Sequence, residues 1–117
     1  MLAETLPADW YHHPERARAE RTSVFAPAWQ VVTASARIAH VGDAVGVDAA
    51  GWPVVVVRSE EGLVAFHNVC RHRAGPLVWE GEVQPRCKRL RCRYHGWQYD
   101  LDGTLARTPD FGADACS

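Results

Sequence analysis

Short apolar runs separated by turn residues dominate the chain beyond its first 28 residues. They occupy residues 29–33, 44–47, 52–58, 63–66 and 97–101. Their β-branched and aromatic residues predict short strands. Hairpin turns are predicted at Ala50-Gly51, Glu61-Gly62 and Asp102-Gly103, because glycine takes backbone angles that other residues resist. Pro53 lacks an N–H donor, so residues 54–57 are expected to form an edge strand or to begin a strand just after the proline.

One segment before these runs has the pattern of a helix. Pro14 suits a first helical turn, and residues 15–21 (ERARAER) are good helix formers. The helix is expected to end before Pro27. Many short strands and one helix in 117 residues predict a single, mainly β domain. We expect an antiparallel sandwich or small barrel that carries an N-terminal helix.

The composition excludes several classes of protein. With 47% hydrophobic and 23% charged residues, the chain is neither disordered nor a disulfide-dense scaffold. Its longest wholly apolar stretch, residues 49–57, is too short to cross a bilayer, and its first residues lack the pattern of a secretory signal. We therefore expect a cytoplasmic location, in which the four cysteines are metal ligands or spare thiols rather than disulfides.

Charge is unevenly distributed along the chain. The net charge of -1 gives no global reason to expect nucleic acid or a membrane as a partner. Seven of the thirteen basic residues, however, lie between residues 71 and 93, where Glu80 and Glu82 are the acidic residues that oppose them. This basic segment is expected either to steer an acidic protein into contact or merely to keep two loops solvated.

Two short clusters each pair one thiol with one imidazole. They are residues 70–72 (CRH) and 92–95 (CRYH), with nineteen residues between them. Thiolate and imidazole are ligands of borderline and soft transition metals. A structural zinc site usually pairs cysteine with cysteine and histidine with histidine, whereas both pairs here are mixed. Two irons bridged by sulfide suit mixed pairs better, because each loop can supply one ligand to each iron. Structural zinc remains the alternative.

These clusters and their flanks resemble the Rieske domain of the ring-hydroxylating (aromatic-ring) dioxygenase and oxygenase α-subunit family. The likeness lies in residues 70–76 (CRHRAGP) and 92–100 (CRYHGWQYD), and it extends to residues 62–69, 100–103 and 108–109. Residues 6–30 are similar to the helix and strand that precede that domain. Arg93 departs from the family pattern, which often has proline at this position.

The resemblance implies one Rieske [2Fe-2S] cluster per chain and a mainly β fold with two cluster-binding loops. Residues 29–117 would form the Rieske domain, and residues 1–28 would form an N-terminal arm and helix. The expected cluster ligands are Cys70, His72, Cys92 and His95, and the residues expected around them are Arg73, Tyr94, Trp97, Tyr99 and Pro109. Cys87 and Cys116 have no partner at motif spacing and are interpreted as spare thiols.

The implied function is electron transfer by the N-terminal Rieske domain of an oxygenase α subunit. The mononuclear iron of that family needs two histidines and a carboxylate, and the 22 residues after His95 contain no histidine. This chain alone would therefore lack the catalytic site. The implied partners are a ferredoxin or flavin reductase as electron donor and an oxygenase catalytic domain or subunit as acceptor. A stand-alone Rieske ferredoxin is the alternative, and a structural zinc-binding module is a further one.

Neighbours of the clusters are expected to tune and hold them. Trp97 stands where respiratory Rieske proteins have a serine that donates to a bridging sulfide, whereas Tyr99 is placed to offer its hydroxyl to a cysteine sulfur. We therefore expect a reduction potential in the lower part of the Rieske range of about -150 to +300 mV. His67 and Asn68 are close enough in sequence to hold the first loop by hydrogen bonds.

Overall fold

The computed structural model describes residues 4–109. The chain forms two compact units, divided after Val31. The first unit contains a 3₁₀ turn at Ala8–Tyr11, helix α1 at Pro14–Glu20 and a π-helical turn at Arg21–Phe25. As predicted, α1 begins at Pro14, and the helical segment ends before Pro27. In the described part of the chain, no helix is long and apolar enough to span a membrane.

Two antiparallel sheets form the second unit. The first sheet contains β1 (Ala44–Ala49), β2 (Trp52–Ser59), β3 (Gly62–His67) and β4 (Val83–Gln84), in the order β3-β2-β1-β4. The second contains β5 (Leu90–Arg91), β6 (Gln98–Tyr99) and β7 (Leu105–Arg107), in the order β5-β6-β7. Neighbouring strands are antiparallel throughout both sheets. The predicted fold class, mainly β with one N-terminal helix, is confirmed.

The first sheet is buried on both faces. One core contains Ala44, Val55 and Val57 together with Leu90 and Tyr99 of the second sheet, and another contains Val45, Val47, Val56 and Ile38. Successive residues of β2 therefore point into opposite cores. Ile38 lies in a 3₁₀ turn at Ser35–Ile38 that covers the far face. A strand that is buried on both faces has a continuous apolar run rather than an alternating one, which explains residues 54–57 (VVVV).

The prediction that residues 54–57 form an edge strand, or begin a strand after Pro53, is wrong. β2 lies between β1 and β3 and includes Pro53 as its second residue. The carbonyl of Pro53 accepts a hydrogen bond from the N–H of Asn68 at 2.9 Å, just beyond the end of β3. The N–H and C=O of one strand residue point in the same direction. An N–H at position 53 would therefore point toward Asn68, just beyond the last residue of β3. Its absence in proline removes no hydrogen bond between β2 and β3.

The predicted strand at residues 29–33 does not form. Trp29 and Val31 are fully exposed, while Val32 packs against the core around Ile38. Strand propensity reflects packing on a half-buried pleated surface, and the exposed Trp29 and Val31 show no such packing. The predicted strand at residues 97–101 is shortened to Gln98–Tyr99, because the carbonyl of Trp97 closes a loop instead.

A buried carboxylate joins the turn before β1 to the segment before β5. Asp43 accepts hydrogen bonds from the N–H groups of His40 at 2.9 Å and Arg86 at 3.0 Å. The hydrogen bond from His40 has the largest effect and that from Arg86 the next largest, and both hold the pKa of Asp43 below its usual value. The carboxylate is therefore ionised at neutral pH. It holds the backbone at Arg86, six residues before the second thiol–imidazole cluster, against the turn before β1.

Gly46 supplies the first prediction, because residues 78–82 cross β1 closely at this glycine. A Cβ added at Gly46 would lie 2.5 Å from the carbonyl oxygen of Trp79 and 2.6 Å from that of Val78. These are backbone atoms, so we expect Gly46→Ala to lower the free energy of unfolding by about 2 kcal/mol, as for an overpacked core. Urea denaturation measures this change.

The matched control is Gly75→Ala, where the nearest atoms would be at ordinary contact distances of 3.7 and 3.8 Å. We expect this variant to change the free energy of unfolding by less than about 0.5 kcal/mol. Equal losses in the two variants would contradict the close approach at Gly46.

Candidate metal centre

The two thiol–imidazole clusters lie on two loops with the same hydrogen-bond pattern. In the first loop, the N–H of Cys70 donates to the carbonyl of Gly75 at 2.7 Å, and the N–H four residues after the cysteine donates to the cysteine carbonyl at 2.8 Å. In the second loop, the N–H of Cys92 donates to the carbonyl of Trp97 at 2.8 Å, and the N–H of Gly96 donates to the carbonyl of Cys92 at 2.9 Å. Each cysteine therefore lies at the base of its loop and each histidine at the tip.

The fourth residue after each cysteine has a left-handed backbone. The φ angle is 57° at Ala74 and 77° at Gly96. For alanine this conformation costs about 1 kcal/mol. At Gly96 a side chain would also crowd Arg91, since an added Cβ would lie 3.2 Å from its Nη2. The same left-handed position in both loops shows that one local structure is used twice.

The thiols point into the protein, while the imidazoles lie nearer to solvent. Cys70 and Cys92 are 2% and 3% exposed and belong to the core between the sheets. His72 is half-buried and His95 is exposed, with ring centroids 4.4 Å apart and ring planes at 77°. A Cβ added at Gly75 in the first loop would lie 3.7 Å from Cys92 Sγ in the second. The structure therefore brings the two imidazoles together and places the first loop against Cys92 of the second.

The state of His72 suits metal binding. Burial, followed by electrostatic interactions with His95 and Arg73, lowers the pKa of His72 below its usual value. The neutral imidazole is the form that binds metals. Cysteine sulfur and neutral imidazole together make a donor set for a transition metal.

The two histidines have different aromatic neighbours. Trp97 is buried, and its ring stacks on His72 with centroids 4.9 Å apart and planes at 12°. Tyr94 is 64% exposed and contacts His95, with centroids 3.9 Å apart and planes at 48°. One imidazole is thus supported from the core, and the other lies beside an exposed phenol ring.

Tyr99 contacts the sulfur of Cys70, as expected from its position in the sequence. Its hydroxyl lies 3.2 Å from Cys70 Sγ and accepts a hydrogen bond from the N–H of Arg71 at 2.8 Å. Burial, followed by the hydrogen bond with Cys70, raises the pKa of Tyr99 to about 12, so the phenol keeps its proton at neutral pH. Because the oxygen already accepts from Arg71, its hydrogen is free to point at the sulfur.

Asn68 holds the start of the first loop to the segment that follows it. The amide oxygen of this buried residue accepts from the N–H groups of Leu77 at 2.8 Å and Val78 at 3.1 Å. Its amide nitrogen donates to the carbonyl of Val78 at 2.5 Å. The expected role of Asn68 in holding the loop therefore has a structural basis, whereas His67 is exposed on β3.

The remaining expected residues have more varied surroundings. Arg93 forms an ion pair with Glu82, which ties the second loop to the segment before β4. No local pattern in the sequence indicates this pair. Arg73 is exposed and Pro109 is half-buried. Cys87 is a half-buried free thiol whose pKa is raised by burial and then by Asp43. Cys116 lies outside the described residues.

The arrangement suits a centre with two metal ions. Between residues 4 and 109, no three or more His, Cys, Asp or Glu side chains converge on the position of a single ion. In a Rieske-type binuclear cluster each iron binds two protein ligands. The paired loops offer two buried thiols and two imidazoles that lie close together.

Comparison with known proteins gives the family. The family model of the Rieske [2Fe-2S] domain matches residues 28–115. The chain belongs to the Rieske [2Fe-2S] domain family. This Rieske domain has the cofactor of that family, the Rieske [2Fe-2S] cluster that homologous Rieske oxygenases carry.

Relatives of this Rieske domain are oxygenase subunits. The glycine betaine monooxygenase oxygenase subunit of Chromohalobacter salexigens is 35% identical over 102 residues, which are 86% of this chain and 22% of that subunit. The apo form of a quaternary ammonium Rieske monooxygenase superposes with a TM-score of 0.81 at 29% identity, over 93% of this chain and 32% of that one. Naphthalene 1,2-dioxygenase with bound indole superposes with a TM-score of 0.74 at 35% identity, over 82% of this chain and 21% of the dioxygenase chain.

These matches locate the likeness within the longer proteins. The Rieske domain spans between 22% and 28% of the length of the curated bacterial relatives named as glycine betaine and carnitine monooxygenase oxygenase subunits. It is homologous to the N-terminal domain of Rieske oxygenase α subunits.

The geometry of Asn68 leads to a second prediction. Asn68→Ala removes three hydrogen bonds and leaves buried backbone groups of Leu77 and Val78 unpaired. We expect the free energy of unfolding to fall by about 3 kcal/mol, the cost of burying unsatisfied polar groups. Urea denaturation of the variant measures the loss.

Ser59→Ala serves as the control, because the Ser59 hydroxyl makes a single hydrogen bond to the Gly62 carbonyl at 3.0 Å at a half-buried site. We expect a loss below about 1 kcal/mol for this variant. Similar losses for the two variants would count against the role of Asn68 in holding the first loop.

Proposed function

We propose that Cys70 and Cys92 bind one iron of the [2Fe-2S] cluster, that His72 and His95 bind the other, and that the domain transfers single electrons. The observation that carries the proposal is the repeated loop, which buries each thiol and places each imidazole toward solvent. When bound, the cluster takes up and releases one electron at a time. The loops hold its ligands in place and keep water from the sulfur side.

The two sides of this site have different tasks. The buried thiols lie in the core between the sheets, so the sulfur ligands are shielded from solvent and held by backbone hydrogen bonds. The imidazole of His95 is exposed, so its outer edge would give a partner a short approach to an iron that this side chain held. Electrons are therefore expected to enter and leave on the histidine side.

The domain is proposed to serve as the N-terminal electron-transfer domain of an oxygenase α subunit. Residues 29–117 would form the electron-transfer domain, preceded by an arm at residues 1–28. Support comes from the curated relatives, which are oxygenase subunits, and from solved structures that match 93% of this chain, including residues of its first unit. The donor would be a ferredoxin or flavin reductase, and the acceptor would be an oxygenase catalytic domain or subunit. Hydroxylation would take place at that acceptor.

Iron and sulfide analysis with visible and electron paramagnetic resonance spectra tests the ligand assignment. We expect two irons and two sulfides per chain and a paramagnetic signal after one-electron reduction. Cys92→Ala and His95→Ala should lose the cluster, because each removes one ligand from one iron. Cys87→Ser is the matched control, since Cys87 is a free thiol outside both loops, and it should retain the full spectrum. A colourless protein with one tetrahedral zinc would reject the proposal.

Tyr99→Phe tests how the protein sets the reduction potential. The variant removes the hydroxyl that lies 3.2 Å from Cys70 Sγ, and a hydrogen bond to sulfur stabilises the more negative, reduced state. We expect the potential to fall by about 40 mV, because such a bond contributes about 1 kcal/mol and about 59 mV corresponds to a tenfold change in a one-electron equilibrium. Spectroelectrochemical titration measures the shift.

Tyr94→Phe is the control for this shift, because the Tyr94 side chain is largely exposed and contacts His95 through its ring. Its potential should stay within about 10 mV of the parent protein, well below the shift expected for one hydrogen bond. If Tyr99→Phe left the potential unchanged, its hydroxyl would not act on the cluster.

A further inference from the structure

The side chain of Arg91 lies against the second cluster loop. Arg91 is the last residue of β5 and is exposed, whereas Leu90 before it is fully buried and Cys92 after it is 3% exposed. Alternation along the chain therefore directs Arg91 away from the core between the sheets. A Cβ added at Gly96 would lie 3.2 Å from Arg91 Nη2 and 3.4 Å from Arg91 Nε. The guanidinium is thus held beside the residue that follows His95.

An open depression joins this guanidinium to the exposed imidazole. It has a volume of about 370 Å³ and is lined by residues 91–96, so Arg91 and His95 border the same space. The charge of Arg91 therefore lies on the same side of the loop as the exposed histidine, rather than on the side of the buried thiol.

Arg91 differs from its neighbouring arginines in keeping its charge uncompensated. Arg93 forms an ion pair with Glu82, and Arg89 forms one with Asp100 at 2.8 Å. Within residues 4–109, no acidic side chain forms an ion pair with Arg91. One full positive charge is therefore fixed beside the second loop.

We propose that Arg91 raises the reduction potential of the cluster by placing this charge beside the loop that carries Cys92 and His95. The inference rests on the proposed ligand set and electron-transfer function. Uptake of one electron makes the cluster and its ligands more negative by one charge, and no bond is made or broken. A fixed positive charge nearby therefore stabilises the reduced state more than the oxidised state. Arg91 is a residue that acts on the cluster through its electric field, without contact.

Arg91 and Tyr99 act on the cluster in ways that salt separates. Tyr99 is 2% exposed, and its hydroxyl lies 3.2 Å from Cys70 Sγ. Dissolved ions screen such a buried contact little, whereas they screen an exposed charge strongly. A contribution to the potential that shrinks as salt is added therefore belongs to Arg91 rather than to the hydrogen bond of Tyr99.

Spectroelectrochemical titration of the cluster-loaded chain at low and high ionic strength tests the role of Arg91, with the electrode as the source of the electron. We expect Arg91→Gln to lower the one-electron reduction equilibrium about two- to fivefold at low salt, the size of effect of one exposed charge. This change corresponds to a fall of about 20–40 mV, because about 59 mV is a tenfold change. At high salt the variant should approach the parent protein. Arg91→Lys keeps the charge and should retain most of the parent potential.

Arg37→Gln is the matched control. It makes the same change of charge at an exposed residue of the 3₁₀ turn, across the first sheet from the core that contains Cys92. We expect it to change the reduction equilibrium by less than about 1.5-fold. No shift in Arg91→Gln, a shift that salt leaves unchanged, or an equal shift in Arg37→Gln would overturn the electrostatic role. An equal shift in Arg91→Lys would assign the effect to the contact of the guanidinium with Gly96 and would also overturn it.

The visible spectrum separates failure of this inference from failure of the proposed function. Intact cluster spectra with equal potentials in the parent protein and Arg91→Gln reject the role of Arg91 alone. Loss of the cluster from Arg91→Gln would show that Arg91 holds the loop in place, which overturns the electrostatic role. Absence of the cluster in the parent protein rejects the proposed function itself.

Discussion

The site depends on one backbone arrangement that occurs twice. In each loop a cysteine N–H bonds to the carbonyl five residues later, and the cysteine carbonyl accepts from the N–H of Ala74 or Gly96. These bonds turn the chain so that the thiol at the base is buried and the imidazole at the tip lies nearer to solvent. The left-handed backbone of Ala74 strains the first loop, whereas Gly96 takes the same conformation in the second loop without strain. The surrounding structure must therefore hold the loops closed.

Buried polar groups hold the loops closed. Asn68 anchors the first loop to the segment after it, Tyr99 bonds to both Cys70 and Arg71, and Asp43 fixes the approach to the second loop. Each group satisfies backbone donors that would otherwise be buried without a partner. Because these bonds run to the backbone, the site depends little on which side chains occupy the loop surface. This is why Arg93, at a position where the family often has proline, is compatible with the second loop.

Local features of the site could be predicted from the sequence, and long-range features could not. The mixed thiol–imidazole pairs follow from residue types at short spacing, as do α1 and the hairpins at Gly51 and Gly62. The position of Tyr99, four residues after His95, indicated a contact with a cysteine sulfur, but that sulfur belongs to Cys70, 29 residues away. The role of Pro53 was predicted wrongly, because proline suggested an edge strand although the continuous valine run marks a strand buried on both faces. Residues 76–89 have little strand pattern, so the crossing at Gly46 and the ion pair of Arg93 with Glu82 depend on a path that no local rule gives.

The two imidazoles are not equivalent, and their difference bears on how the site is approached. Trp97 covers one face of His72 from the core, and burial lowers the pKa of that histidine. His95 is exposed beside Tyr94. On the proposed ligand set, both histidines bind the same iron, so either edge would serve as an electronic route. Trp97 covers His72, whereas His95 shares an open depression with Arg91, Arg93 and Tyr94. Approach from the His95 side therefore follows from steric access rather than from the metal.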